Sequence, residues 1–482
     1  MQPTAIRPST SQQSGLTTKT VPVFPGLWQA LGPGIVWLAL AQGSGELIWW
    51  PYIIAKYGLG FLFLLIPACL LQFPLNYQIG TYTLLTGESI FQGFIRLHRG
   101  FAFYLWILAT ISFLWFGAFA SAGGTALAAL TDFPAGRSER AQTLFWAYLS
   151  MSVFFLGIMV SRIVYQFIEK VMTAVCFITI LGLILACLHP AVQHQLGSFF
   201  YGLVKPTWPL PRPWDPQDAT KLLTAITFAG LGGFWTLFYS YWLREKGAGM
   251  AQYMGHITGP ITGKREVIQE SGFTFEASDA NFLNVRKWKR YLKIDTAIGI
   301  LGNIFTTLMT CLLAYALLFP QGILPQKYEI AVVQARFFEI SWGVTGRLIF
   351  LFVAACFLAD TWLATLDGVS RMHVDFCKSY FPRLRKIRFE KCYYFFIFLF
   401  TGITSVTMFF EEPGPLILTS AVLGFVGTVS FSIALLFLNY RLLPRLIPAK
   451  AIPGRSAFYL LLFAAGVYLI LAILYLSQII RS

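Results

Sequence analysis

The chain has 482 residues, of which 56% are hydrophobic and only 12% charged, with a mean hydropathy of +0.65. A soluble domain carries about 25% charged residues, so this composition excludes an ordinary soluble domain and requires a polytopic membrane protein. The net charge of +15 raises nucleic acid as a partner, but the placement of that charge, taken up below, excludes it.

Residues 1–30 begin with a Ser/Thr/Gln-rich stretch without the apolar core of a secretory signal. They read as a disordered cytosolic tail, with a transit peptide as the alternative. Apolar runs of about 20 residues or more then fall near 32–56, 60–86, 102–130, 142–161, 165–188, 219–243, 294–319, 342–369, 392–410, 415–438 and 457–479. These make about eleven spans. With the N-terminus cytosolic, about 25 of the 36 Lys and Arg fall in inside loops, as the positive-inside rule requires. The basic charge is therefore a topology signal in a plasma (inner) membrane, with the C-terminus external.

Span 1 contains LALAQGSGELIWW (38–50) and span 6 contains FAGLGGFWTLFYSYW (228–242). Glycine-rich breaks at mid-membrane bare N–H and C=O groups that lipid cannot satisfy, so they persist only inside protein or along a cavity. Paired breaks in matching halves point to a secondary-transporter binding site. Five spans per half, an odd number, force opposite insertion and hence an inverted repeat. The units are 31–188, the external loop 189–218, 219–438, and an added loop and helix over 439–482. Span 3 (FGAFASAGGTALAAL) and span 8 (FVAACFLADTWLATLDG) correspond, and both are dense in small residues that permit close approach.

The Pro-rich loop 189–218 reads as an extended external cap. The inside segment 245–293 ends in VRKWKRYLK, a juxtamembrane run that either touches anionic lipid or serves as a plain positive-inside anchor. The amphipathic stretch YEIAVVQARFFEI (328–340) reads as a short helix over the cavity mouth. The seven cysteines lack metal-ligand spacing and the five histidines sit in loops or at span ends. No resident cofactor is implied.

The order of motifs resembles the natural resistance-associated macrophage protein (Nramp) family of divalent-metal transporters from about residue 31 to 438. The matching stretches include LGPGIVWLALAQGSGE, LLQFPLNYQIGTYTLLTG, ITFAGLGGFWTLFYSYW and LTSAVLGFVGTVSFSIALLFLNYR. The resemblance implies an all-α, LeuT-like fold of two inverted five-helix repeats with discontinuous helices 1 and 6, working by alternating access. This chain departs from the family at its ligands. The family's Asp-Pro-Gly-Asn break is here Gly43, Ser44, Gly45 and Glu46, and its Met-Pro-His triplet is close to Gly233, Phe234 and Trp235. It resembles a divergent branch. The Gly-Ser-Gly of span 1 and FAGLGG of span 6 also resemble breaks of the amino acid–polyamine–organocation superfamily, whose bared N–H groups hold a substrate carboxylate.

Carboxylates inside spans are few, and each costs about 2.5 kcal/mol or more at mid-membrane. Glu46 follows the first break, where it either binds a cation or caps the second half-helix. Asp360 in span 8, with the Thr361 and Thr365 hydroxyls nearby, binds a cation or proton, or else pairs with a basic neighbour. Asp367 reads as a surface-level ion pair with Arg371. Gly43, Ser44, Gly45, Glu46, Gly230, Gly232, Gly233 and Trp235 form the expected substrate site, with Glu46, Asp360 and Thr361 as its ion-coupling groups. Glu46 and Asp360 supply hard oxygen ligands for a metal.

The rings Trp49, Trp50, Trp235, Phe238, Tyr239, Tyr241 and Trp242 either enclose cargo or pack toward lipid. Gln72 and Asn76 read as polar glue, and Asn303 as a cavity or interhelical group. The expected function is a transporter of a metal cation coupled to protons or sodium, the alternative an amino acid or small organic anion. An intramembrane enzyme would need HExxH, GxSxG or a mid-span histidine, all missing here. Membrane lipids are the remaining expected partner.

Overall fold

The computed structural model describes residues 15–43, 47–324, 330–410 and 413–481. Among these, ten helical stretches are long and apolar enough to cross a membrane. The first of them, Ile48–Thr86, joins the second half of span 1 to span 2, and the nine-residue helix Pro33–Ala41 precedes it. Counted as the sequence counts them, the spans number eleven. An α-helix satisfies its own backbone, which is why apolar sequence in lipid takes this form.

Span 1 contains the helices Pro33–Ala41 and Leu47–Tyr57, and its expected break at 44–46 lies outside the described residues. Span 2 is Leu65–Thr86, span 3 covers Arg99–Phe113 and Gly117–Thr131, span 4 is Glu139–Val160 and span 5 is Val164–Cys187. Span 6 is split into Asp218–Phe228 and Phe238–Glu245. Span 7 is Asp279–Leu313, span 8 ends the helix Ile330–Tyr380, and spans 9, 10 and 11 are Phe389–Phe410, Pro413–Phe437 and Arg455–Arg481.

Spans 3 and 8 form the most extensive helix pair, and span 4 packs on the other side of span 3. The small residues explain the fit. A Cβ at Gly123 would come within 3.1 Å of the Ala359 amide of span 8, while Gly124 lies against the Thr143 carbonyl of span 4.

Several boundaries differ from expectation. Residues 15–30, assigned to a disordered tail, are packed. Thr17–Thr18 pairs in parallel with Phe273–Thr274, and the Trp288 indole donates to the Pro22 carbonyl at 2.8 Å. The apolar Val21 and Phe24 supply the driving force, Val21 being buried and Phe24 stacking edge-on against Trp288. The basic run VRKWKRYLK is the first turns of span 7, capped by Ser278. The loop 189–218 is not wholly extended, since it holds helices Pro190–Gln193 and Leu196–Val204. Helix covers the expected amphipathic segment from Ile330 and turns into span 8 at a kink, Trp342–Gly343. Its start at Tyr328 lies outside the described residues.

Buried charge closes both ends of the bundle. At the end opposite the basic loops, Asp218 receives Lys56 at 2.6 Å, Lys221 at 2.7 Å and the Tyr57 hydroxyl at 2.8 Å. Lys56 also bonds Asp215 and holds that carboxyl below its ordinary range. At the basic end, Arg371 bonds Asp367 at 2.8 Å and also pairs with Glu245 of span 6, and the Tyr393 hydroxyl donates to Asp367 at 2.6 Å. Arg244 pairs with Asp375 at 3.0 Å. The Asp367–Arg371 pair expected at the surface is thus fully buried, because span 8 continues eleven residues beyond its expected end to Tyr380.

Removing one partner of a buried pair costs about 3–5 kcal/mol. Arg371→Met should therefore lower the thermal midpoint of the purified protein markedly, and Glu245→Gln with Asp367→Asn should recover much of the loss in the triple variant.

Candidate functional site

The break in span 6 is the best-defined part of the site. Its first half ends at Phe228, and the backbone then takes the left-handed region at Gly230 (φ 69°), Leu231 (φ 57°) and Gly233 (φ 68°). Glycine adopts that region without strain, but a leucine there is held by its surroundings, at a cost of about 1–3 kcal/mol. A short 3₁₀ turn, Gly233–Leu237, leads into the second half.

The groups freed by the break find partners on neighbouring spans. The Gly230 amide donates to Asn303 Oδ1 of span 7 at 2.8 Å. The Thr236 hydroxyl donates to the Leu231 carbonyl at 2.8 Å and lies 3.5 Å from Gln72 Oε1 of span 2. Gln72 in turn donates to the Tyr468 hydroxyl of span 11 at 2.6 Å. Gly232 is wedged between the Thr227 carbonyl and the Gln72 amide, with no room for a Cβ. Gly233 lies against Gly424 of span 10, where a Cβ would come within 3.3 Å of Cα.

Trp235 links this break to span 8. Its indole donates to the Thr365 hydroxyl at 3.0 Å, and Phe113, Phe119 and Phe228 meet its ring edge-on. Asp360 and Thr361 lie about one turn before Thr365 on span 8, and both are fully buried. Neither Asp360 oxygen has a hydrogen-bond partner among the described residues. The Thr361 backbone lies beside the carboxyl. The basic partner considered for Asp360 is thus missing among the described residues. Its carboxyl lies within electrostatic reach of Cys176 of span 5. Cys176 accepts a long bond of 3.8 Å from Gln42, at the end of the first half of span 1.

Gly43 is buried beside Gln42, while Ser44, Gly45 and Glu46 lie outside the described residues. The structure therefore brings together the end of helix Pro33–Ala41, span 5, Asp360 and the span 6 break. The seven rings named from the sequence are all at most 5% exposed, so the lipid-facing alternative is wrong for them. They are interior walls. The indole nitrogens of Trp49 and Trp50, Gln42 Oε1 and Asn303 Nδ2 are buried and have no hydrogen-bond partner among the described residues.

Among the described residues, five buried acids escaped the sequence reading, Glu88, Asp218, Glu245, Asp295 and Asp375, and Asp295 and Asp218 lie nearest expected span ends. Asp295 of span 7 receives the Tyr239 hydroxyl at 2.8 Å and approaches the Gly32 amide at 3.5 Å. Asp218 anchors the opposite end. Both fall within a residue or so of an expected span boundary, beside loop charges, where hydropathy gives no reason to single them out. Among the described residues no three His, Cys, Asp or Glu gather as a metal-binding group.

The sequence matches no protein-family profile and no curated protein. Solved structures do match. The manganese transporter of Eremococcus coleocola, in complex with an aromatic bis-isothiourea compound, superposes with a TM-score of 0.62 at 14% identity over 96% of this chain and 90% of that one. MhsT in complex with L-phenylalanine gives 0.53 at 14% identity, over 92% and 98%. The chain has the fold of these transporters, the LeuT-like all-α architecture that its motif order resembles.

An unpaired buried amide costs about 1–3 kcal/mol. Asn303→Leu strands the Gly230 N–H and should lower the thermal midpoint of the purified protein, whereas Asn303→Asp, which keeps the acceptor oxygen, should lose less.

Proposed function

We propose that this protein is a secondary transporter that moves a small cation across the membrane by alternating access, coupled to protons or sodium. The observation that carries this reading is Asp360, a fully buried span-8 carboxyl whose two oxygens have no hydrogen-bond partner among the described residues. An acid at that depth is expensive and is retained where it carries charge. Here it takes a proton or a cation in one state of the cycle and releases it in another. Gln42 Oε1 and the carbonyls at the breaks add hard oxygen donors of the kind that suit small hard cations. Glu46 is the second carboxylate assigned to the site from the sequence. Thr361 and the backbone at Gly43, Gly230, Gly232 and Gly233 complete it, with Trp235 as its wall.

The basic end, which collects the inside loops, faces the cytosol by the positive-inside rule. The N-terminus is then inside and the C-terminus outside, in a plasma or inner membrane. A reporter fused after Arg481 should read the external side.

A second reading has its own support. The ring-lined interior, where the indole nitrogens of Trp49 and Trp50 have no partner among the described residues, suits an organic solute, and MhsT has been solved in complex with L-phenylalanine on this fold. Cargo is then an amino acid or small organic anion, and Asp360 serves the coupling ion alone.

Proteoliposomes loaded with a pH or sodium gradient test the first reading. Asp360→Asn should reduce cation uptake about tenfold or more, as loss of a transported-charge site demands, while its thermal midpoint stays level or rises. Uptake at the wild-type rate would overturn the assignment. In a thermal-stability panel of divalent ions and amino acids, stabilisation by amino acids alone would favour the second reading.

A further inference from the structure

A separate feature lies on the outer flank of the bundle, at the basic end. There a cleft of about 530 Å³ opens between the short helix Ile90–Leu97, the start of span 3 and the end of span 10. Arg96, His98, Arg441 and Arg445 line it, and no acidic side chain does. Arg96 is held in place by Glu88, its Nε at 2.7 Å and its Nη2 at 2.6 Å from the carboxylate. His98 caps span 3, its Nδ1 accepting from the Phe101 amide at 3.0 Å. Arg441 and Arg445 are exposed and supply the excess positive charge.

Apart from Ser430 the rest of the lining is apolar, and Val426 continues its outward face one turn earlier on span 10. Val426, Ser430, Ile433, Phe437, Arg441 and Arg445 recur every three or four residues, so they form one stripe along span 10 and its extension. Val426, Ile433 and Phe437 are 42%, 41% and 48% exposed on a membrane-crossing helix, where exposure means contact with acyl chains. The stripe changes from apolar to basic where the helix leaves the hydrocarbon. That is the outline of a phospholipid, with the chains along the helix and the phosphate against the guanidinium groups.

We propose that this cleft binds the headgroup of an anionic phospholipid, with Arg441 and Arg445 as the phosphate-recognising residues. Basic pockets at this depth take anionic headgroups, and arginine matches phosphate oxygens through paired donors. A free phosphate satisfies the basic end of the stripe and leaves its apolar length unused. The lipid satisfies both.

The test uses the full-length purified protein, with phosphatidylglycerol, phosphatidylcholine and inorganic phosphate as probes. Bound lipid is counted by native mass spectrometry, and the thermal midpoint is read alongside. Phosphatidylglycerol should bind and stabilise, and phosphatidylcholine should do neither. Arg441→Gln with Arg445→Gln should weaken binding about 30-fold, the value for two arginines at an anionic surface. Arg441→Lys with Arg445→Lys should retain a preference for the anionic lipid, and Arg383→Gln, an exposed charge elsewhere, should have no effect. Equal binding by the double Gln variant, or an equal loss in Arg383→Gln, overturns the site. Displacement of the lipid by inorganic phosphate overturns the lipid as its occupant.

Discussion

Within lipid, an unpaired backbone N–H or C=O has no solvent to bond to, and this constraint governs where the chain may depart from helix. Span 6 departs from it between Phe228 and Gly233. It can do so because Asn303 takes the Gly230 amide and Thr236 takes the Leu231 carbonyl. Asn303 belongs to span 7, while Thr236 lies in the 3₁₀ turn of span 6 itself. The strained Leu231 is therefore held jointly by its own segment and by a neighbouring helix.

Most of the fold was legible in the sequence. Apolar length located the spans and glycine clustering located the break in span 6, because both follow from burying backbone in hydrocarbon. Small residues in spans 3 and 8 signalled that each could approach a neighbour closely, and the structure shows the two spans pack on each other, with Gly123 against Ala359. Other features were hidden. Nothing local distinguishes Asn303 as the partner of Gly230, because their bond joins residues 73 positions apart. Asp367 and Arg371 were correctly paired by their spacing, but their burial depends on Glu245 and Tyr393 closing over them from other spans. Residues 15–30 looked too polar to order, and it is a few apolar anchors such as Val21 and Phe24 that hold them.

The two ends of the bundle are built differently from its middle. Asp218 collects four donors at one end, from Lys56, Lys221, Tyr52 and Tyr57, and Arg371 with Arg244 collects three carboxylates at the other. Between them, Asp360 has no comparable partner among the described residues. Charges at the ends are neutralised by the protein itself; in the transport reading proposed above, the middle one is the group that changes its occupant, near the midplane where such sites lie in this class of fold.

Span 11 lies outside the five-plus-five arrangement and, from its apolar surface, looks like a peripheral addition. Its Tyr468 nevertheless accepts the Gln72 amide, and Gln72 presses against the turn at Gly232. The last helix is thereby a prop, bearing from outside on the same short stretch that the inner helices brace. A homologue that ends after ten helices must supply another hydroxyl at that height, or replace Gln72 with an apolar residue. Chain length and the identity of residue 72 should then vary together.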